Sequence, residues 1–116
     1  MGLDTYAVYP KGHHKNNDNE SCQTLPSELF PPNNLCGGMF SGGGNSFRGK
    51  VYNSLVEEVT GISLYNEMIP AEDVKLMVTR IEDHISRTND EDPNLLELLG
   101  WFQVVVKEEA CISGWW

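Results

Sequence analysis

The segment Gly44-Asn45-Ser46-Phe47-Arg48-Gly49-Lys50 has the spacing Gly-x-x-x-x-Gly-Lys, most of a phosphate-binding loop. The chemistry needs those types: glycines let backbone N–H groups close around anionic oxygens, and the lysine reaches the outer phosphates. A helix starting just after the loop would aim its positive end at the same anion. The residues that would hold a small phosphate or carboxylate are Gly42, Gly43, Gly44, Ser46, Arg48, Gly49, Lys50 and Tyr52. Arg48 and Lys50 would supply charge, and Tyr52 would stack or donate a hydrogen bond. Val51 stands where Ser or Thr would hold Mg²⁺, and no apolar strand ending in Asp follows, so nucleotide hydrolysis is not expected. The competing reading of the glycines is a tight turn with close backbone packing.

Other reactive types are scattered. His13-His14, Cys22 and Cys36 carry metal-capable atoms, but zinc sites pair their ligands two to four residues apart, so neither a metal nor a cofactor is expected. Cys36 beside Gly37-Gly38 would need a base, with His13, His14 or His84 as candidates. Asn89-Asp90-Glu91-Asp92 resembles a calcium loop only in composition, lacking the central Gly and closing Glu. Trp115 and Trp116 are a different kind of candidate. Two adjacent indoles must either close the core or form an exposed apolar patch for a partner or a second copy.

These residues need elements to position them. Thr5–Tyr9 is β-branched and aromatic and stops at Pro10, which predicts a strand. The polar stretch from Lys11 to Ser21 cannot bury a face, and loop character continues through Pro26, Pro31 and Pro32 to about residue 34. Leu35–Phe40 reads as a short strand leading into the glycines. A first helix capped by Asn45 or Ser46 follows, with Val51, Tyr52, Leu55, Val56 and Val59 at helical spacing and Gly61 ending it. A second helix opens at Pro70 with Glu72 and Asp73 in its first turn and carries Val74, Met77, Val78, Ile81 and Ile85 on one face. A third has Asp92 as cap and Pro93 as first residue. Leu95, Leu96, Leu98, Leu99, Phe102, Val105 and Val106 make it apolar nearly all round, which places it centrally. Ala110–Trp115 reads as a strand, and since a lone strand leaves its backbone unsatisfied, Thr5–Tyr9 is the partner it needs. The expected class is α+β: one domain with a small sheet containing both termini, packed against three helices.

The 116 residues carry a net charge of −9, and its distribution is uneven. Residues 1–50 hold four acids and four bases; residues 51–116 hold thirteen acids and four bases, giving the whole −9. That field disfavours nucleic acid and anionic lipid as partners. No run approaches the roughly 18 apolar residues of a membrane span. Met1-Gly2-Leu3-Asp4 has neither the basic flank nor the apolar core of a signal peptide, and Tyr6 replaces the Ser or Thr of a myristoylation pattern. With three cysteines and no framework of pairs, free thiols and a cytoplasmic location are expected.

Met1-Gly2-Leu3-Asp4-x-Tyr6, Leu35-Cys36-Gly37-Gly38-x-Phe40-Ser41, Phe47-Arg48-Gly49-Lys50-x-Tyr52 and the closing Gly114-Trp115-Trp116 resemble a group of small uncharacterised proteins from bacteria, phages and environmental sequences. The likeness spans most of the chain except Lys11–Ser21. It implies no activity and transfers no catalytic residue. Two functions follow from the residues: a non-enzymatic binding or accessory module, in homodimeric form or otherwise, or a small enzyme or ligand-binding protein holding an anion at Gly42–Lys50. The sequence does not decide whether the chain is an enzyme.

Overall fold

The computed structural model describes residues 3–17, 21–31, 35 and 44–116. The chain order is β1 (Asp4–Tyr9), β2 (Gln23–Thr24), a single 3-10 turn at Ser27–Leu29, β3 (Ser46–Arg48), α1 (Gly49–Thr60), α2 (Ala71–Thr88), α3 (Pro93–Lys107) and β4 (Cys111–Trp115). This is the expected α+β architecture, with β1 and β4 near the two ends of the chain.

β1 is the axis of the sheet. β4 runs antiparallel along one edge, from Asp4 opposite Trp115 to Val8 opposite Cys111. The other edge is shared: β3 pairs with Asp4–Tyr6 and β2 with Val8–Tyr9. Ala7 sits at the join, its N–H donating to the Asn45 carbonyl and its carbonyl accepting from the Leu25 N–H, both at 3.0 Å. The Asn45 side-chain amide closes the gap by donating to the Leu25 carbonyl at 2.7 Å. The outer edge of β4 is covered by the connection between α1 and α2. Ile69 and Ile112 exchange both backbone hydrogen bonds there, and Gly114 N–H donates to the Asn66 carbonyl.

Alternation along the strands sorts the two faces. Leu3, Ala7, Tyr9, Phe47 and Ile112 join the core with Tyr52 and Val56 of α1, Val74, Met77 and Ile81 of α2, and Leu95, Leu98, Trp101, Phe102 and Val105 of α3. All three helices therefore cover one face. The second face carries Asp4, Tyr6, Val8, Ser46, Arg48, Thr24, Cys111, Ser113 and Trp115, as the register requires.

The helix ends follow local chemistry. Asp92 accepts from the Asn94 N–H at 2.9 Å, and Pro93 opens α3 as expected. Gly61 at φ 76° and Asn89 at φ 54° end α1 and α2 in the left-handed conformation. The Arg80 guanidinium donates to the Thr60 carbonyl, placing a cation at the negative end of α1.

Two expectations are corrected. The first helix begins at Gly49 rather than after Asn45 or Ser46, because Ser46–Arg48 finds backbone partners on β1 and becomes β3. The loop placed at about 11–34 contains β2 and the 3-10 turn, since Gln23 and Thr24 lie within reach of the free edge of β1. Ile62–Tyr65 is neither helix nor strand, although Leu64 is fully buried. The strand expected at Leu35–Phe40 falls, beyond Leu35, outside the described residues.

Candidate binding surface

The described anion-site residues separate. Gly42 and Gly43 lie outside the described residues, as does Cys36. Gly44 gives its carbonyl to Trp101, whose Nε1–H donates to it at 2.8 Å. Ser46 and Arg48 point to the second face of the sheet, two residues apart on β3. Ser46 Oγ is buried without a hydrogen-bond partner, while Arg48 is exposed. Gly49 turns the other way, beneath β1; a Cβ there would stand 2.1 Å from Thr5 Oγ1. That contact explains the glycine by close packing. The Lys50 side chain is exposed, but its N–H donates to the Leu3 carbonyl at 3.3 Å. Tyr52 is buried, its ring edge-on to Phe47 at 5.7 Å. The described part of the glycine segment thus spends backbone groups on strand and helix start.

A second cluster had no signal in the sequence. Glu108, at the C-terminal cap of α3, accepts from the Tyr9 hydroxyl at 2.7 Å and from Lys15 Nζ at 2.8 Å. His13 stacks on Tyr9 with centroids 4.7 Å apart, and His14 stacks on His13 at 4.4 Å. The His13 Nδ1 accepts the Lys15 backbone N–H at 3.1 Å, so the proton of the neutral ring is assigned to Nε2. Asn16 donates to the carbonyls of Tyr9, Pro10 and Ser21. These bonds tie the polar turn after β1 to the end of α3. The Lys15 ammonium and then the Tyr9 hydroxyl hold the Glu108 carboxyl below its ordinary 4.5. Burial, then the hydrogen bond to Glu108, pushes the Tyr9 phenol up to about 12. A phenol so displaced is a poor base at neutral pH, and the cluster works as a clamp.

The clamp has a pH signature. Glu108 is lowered on folding, so its contribution is present above its unfolded value and disappears as the pH falls through its folded one. Tyr9 is raised, so its contribution is present below about 10 and is lost as the pH climbs towards about 12. Glu108→Gln is expected to cost about 1 kcal/mol at neutral pH, discounted because Lys15 is half exposed. It should also flatten the thermal stability profile at the acidic end and, because the burial of Tyr9 remains, only in part at the alkaline end. Melting curves across pH check this; an unchanged profile in the variant rules the clamp out.

Elsewhere, a hollow of about 360 Å³ lies between the end of the 3-10 turn and α3. Phe30, Pro31, Pro93, Leu96 and Trp101 make it apolar, and among the described residues Glu97 is its one titratable lining residue. Among the described residues it brings together neither a nucleophile with a base nor two charges. Among the described residues no group of three or more His, Cys, Asp or Glu could hold a metal ion. Cys22 is exposed and Cys111 buried, both as free thiols, and burial raises the Cys111 thiol.

The terminal indoles remain, and neither closes the core. Trp115 is 65% exposed on the second face of the sheet, and Trp116 is 51% exposed, edge-on to Tyr65 at 5.7 Å. Opposite residues of antiparallel strands share a face, so Trp115, Asp4 and Arg48 form one row across three strands. The next row is Ser113, Tyr6 and Ser46. The far row, around Val8 and Cys111, is buried, so this face opens at its Asp4 end. Among the described residues no helix is long and apolar enough to cross a membrane. Comparison with family models, with curated proteins and with solved structures gives no match to the chain.

Proposed function

We propose that the chain is a non-enzymatic binding module of the cytoplasm that docks a protein partner on the indole end of its sheet. The observation carrying this reading is Trp115: a strand residue, 65% exposed, in one row with a guanidinium and a carboxylate. A large aromatic that is mostly exposed on a strand gains further burial when a partner covers it, and Trp and Arg dominate the energetics of protein interfaces. Trp116 and Tyr65 extend the apolar area around the end of β4. The main titratable cluster supports the same reading, because Tyr9, Lys15 and Glu108 satisfy one another within the fold. The free thiols of Cys22 and Cys111 suit a reducing compartment.

Site-specific photo-crosslinking tests this. A photoreactive residue at position 115 should give discrete adducts in expressing cells. The same residue at Glu82, on the exposed side of α2, should give few. Equal, diffuse adducts at both positions would remove the docking surface.

A further inference from the structure

We infer that the hollow between the 3-10 turn and α3 is a binding site for a small organic cation, an amine with an aromatic body. The site stands apart from the indole surface of β4, and the two readings succeed or fail independently.

Gly100 carries the inference. It lies inside α3, where every residue type except proline forms helix better than glycine. Its φ is not positive, so no left-handed backbone requires glycine there. A Cβ at this position would meet no described atom within 4 Å, so close packing does not require it either. Gly49 and Gly114 differ in this, each being pressed against a neighbour. What Gly100 does is line the hollow. Pro93, Leu96 and Gly100 follow at helical spacing along one stripe of α3, while Leu95, Leu98 and Phe102 turn to the core. Leu96 is left 46% exposed on this stripe. Any side chain at position 100 would take up space that the glycine keeps open.

The walls are in place before a ligand arrives. Trp101 stacks on Phe30 at 5.3 Å and is pinned by its bond to the Gly44 carbonyl. A preformed site loses little free energy to ordering. The volume of about 360 Å³ lies at the lower end of the range for small-molecule sites. Aromatic rings and prolines at its lining favour a flat hydrocarbon body. Charge selects the rest. Glu97 is the charged group among the described lining residues, and α3 belongs to the half of the chain that carries the whole −9. That field draws cations and repels anions. Glu97 already holds an interaction within the chain, and a carboxylate offers about four acceptor sites, so an ammonium can join it.

Phenethylamine, phenethyl alcohol and hydrocinnamate share one ring and differ in charge, and NMR titration of each into the isotope-labelled full chain, up to about 10 mM at low salt, tests the inference. The amine should shift the Trp101 indole N–H and Gly100 amide signals with a Kd of about 1 mM. The alcohol should bind about threefold more weakly and the carboxylate about tenfold or more. Gly100→Leu fills the space and should weaken the amine by about tenfold or more, with circular dichroism verifying that the variant folds. Gly100→Ala adds one methyl group to a helix that favours it, and should weaken the amine by about threefold. Glu97→Gln should bring the amine down to the level of the alcohol. No shift with any probe overturns the inference. So does a carboxylate that binds as tightly as the amine, or amine binding that is unchanged in both Gly100 variants. None of these outcomes bears on the adducts at position 115.

Discussion

Trp101→Ala is expected to lower the unfolding free energy by about 4 kcal/mol, the range for deleting a buried indole. Trp101 is 2% exposed and stacks on Phe30 at 5.3 Å; its ring also meets the edges of Phe47 at 4.8 Å and Phe102 at 5.6 Å. One side chain of α3 thus holds the segment after the 3-10 turn and the strand leading into α1. Its Nε1–H is the donor to the Gly44 carbonyl, so truncation leaves a cavity and removes that carbonyl's partner. Trp101→Phe separates the two effects: it keeps most of the ring stacking and should cost about 1–2 kcal/mol. Urea unfolding at unchanged slope reads both losses. Native hydrogen exchange should locate them, with the amides of Phe30 and Ala7 losing protection before those of α2. Equal costs for the alanine and phenylalanine variants would mean that the indole contributes only its hydrogen bond.

How far such a network can be read in advance depends on the distance along the chain over which it is built. α2 and α3 are legible because their signals are local. Val74, Met77 and Ile81 repeat at one face, and Asp92-Pro93 marks a start wherever it occurs ahead of an apolar run. The β1–β4 pair is legible for another reason: each segment has strand character, and neither can satisfy its backbone alone. β3 misleads because Asn45 and Ser46 are good helix caps before a helical periodicity. What overrides them is the open edge of β1, which takes three residues of the chain before the helix can start. β2 is two polar residues long and has no periodicity to detect.

The site follows the same rule. Tyr9 and Glu108 are 99 positions apart, and Trp101 and Gly44 are 57 apart, so no spacing links either pair. The glycine segment attracts attention because its pattern is local, yet Gly49 is explained by Thr5 lying against it. Trp115 and Trp116 are conspicuous by type, but type alone does not choose between core and surface. The alternation of β4 chooses for Trp115: Ile112 and Gly114 face the helices, so Trp115 and Ser113 cannot. Gly114 is what allows the chain to cross at that point.

Gly114→Ala is accordingly expected to be among the most damaging single-methyl additions in the protein. A Cβ at this position would stand 2.6 Å from the Asn66 carbonyl oxygen and 2.7 Å from that of Leu64. Both atoms are backbone, so neither can rotate aside as a side chain would. Relief requires the 64–66 segment to lift off β4. That movement stretches the Gly114 N–H bond to Asn66 and pulls on the paired bonds between Ile69 and Ile112. It also draws buried Leu64 out of the core, whose N–H is held by Asn53 Oδ1 at 2.7 Å. The expected cost is about 3 kcal/mol or more, or a fall in melting temperature of roughly 10 °C. Gly100→Ala is the matched control. A Cβ there meets nothing within 4 Å, and the position lies inside α3, where alanine is favoured over glycine by about 1 kcal/mol. The two substitutions add the same methyl group and should move stability in opposite directions. If thermal melts show Gly114→Ala as harmless as Gly100→Ala, the connection does not lie against β4, and the shielding of that sheet edge must come from elsewhere.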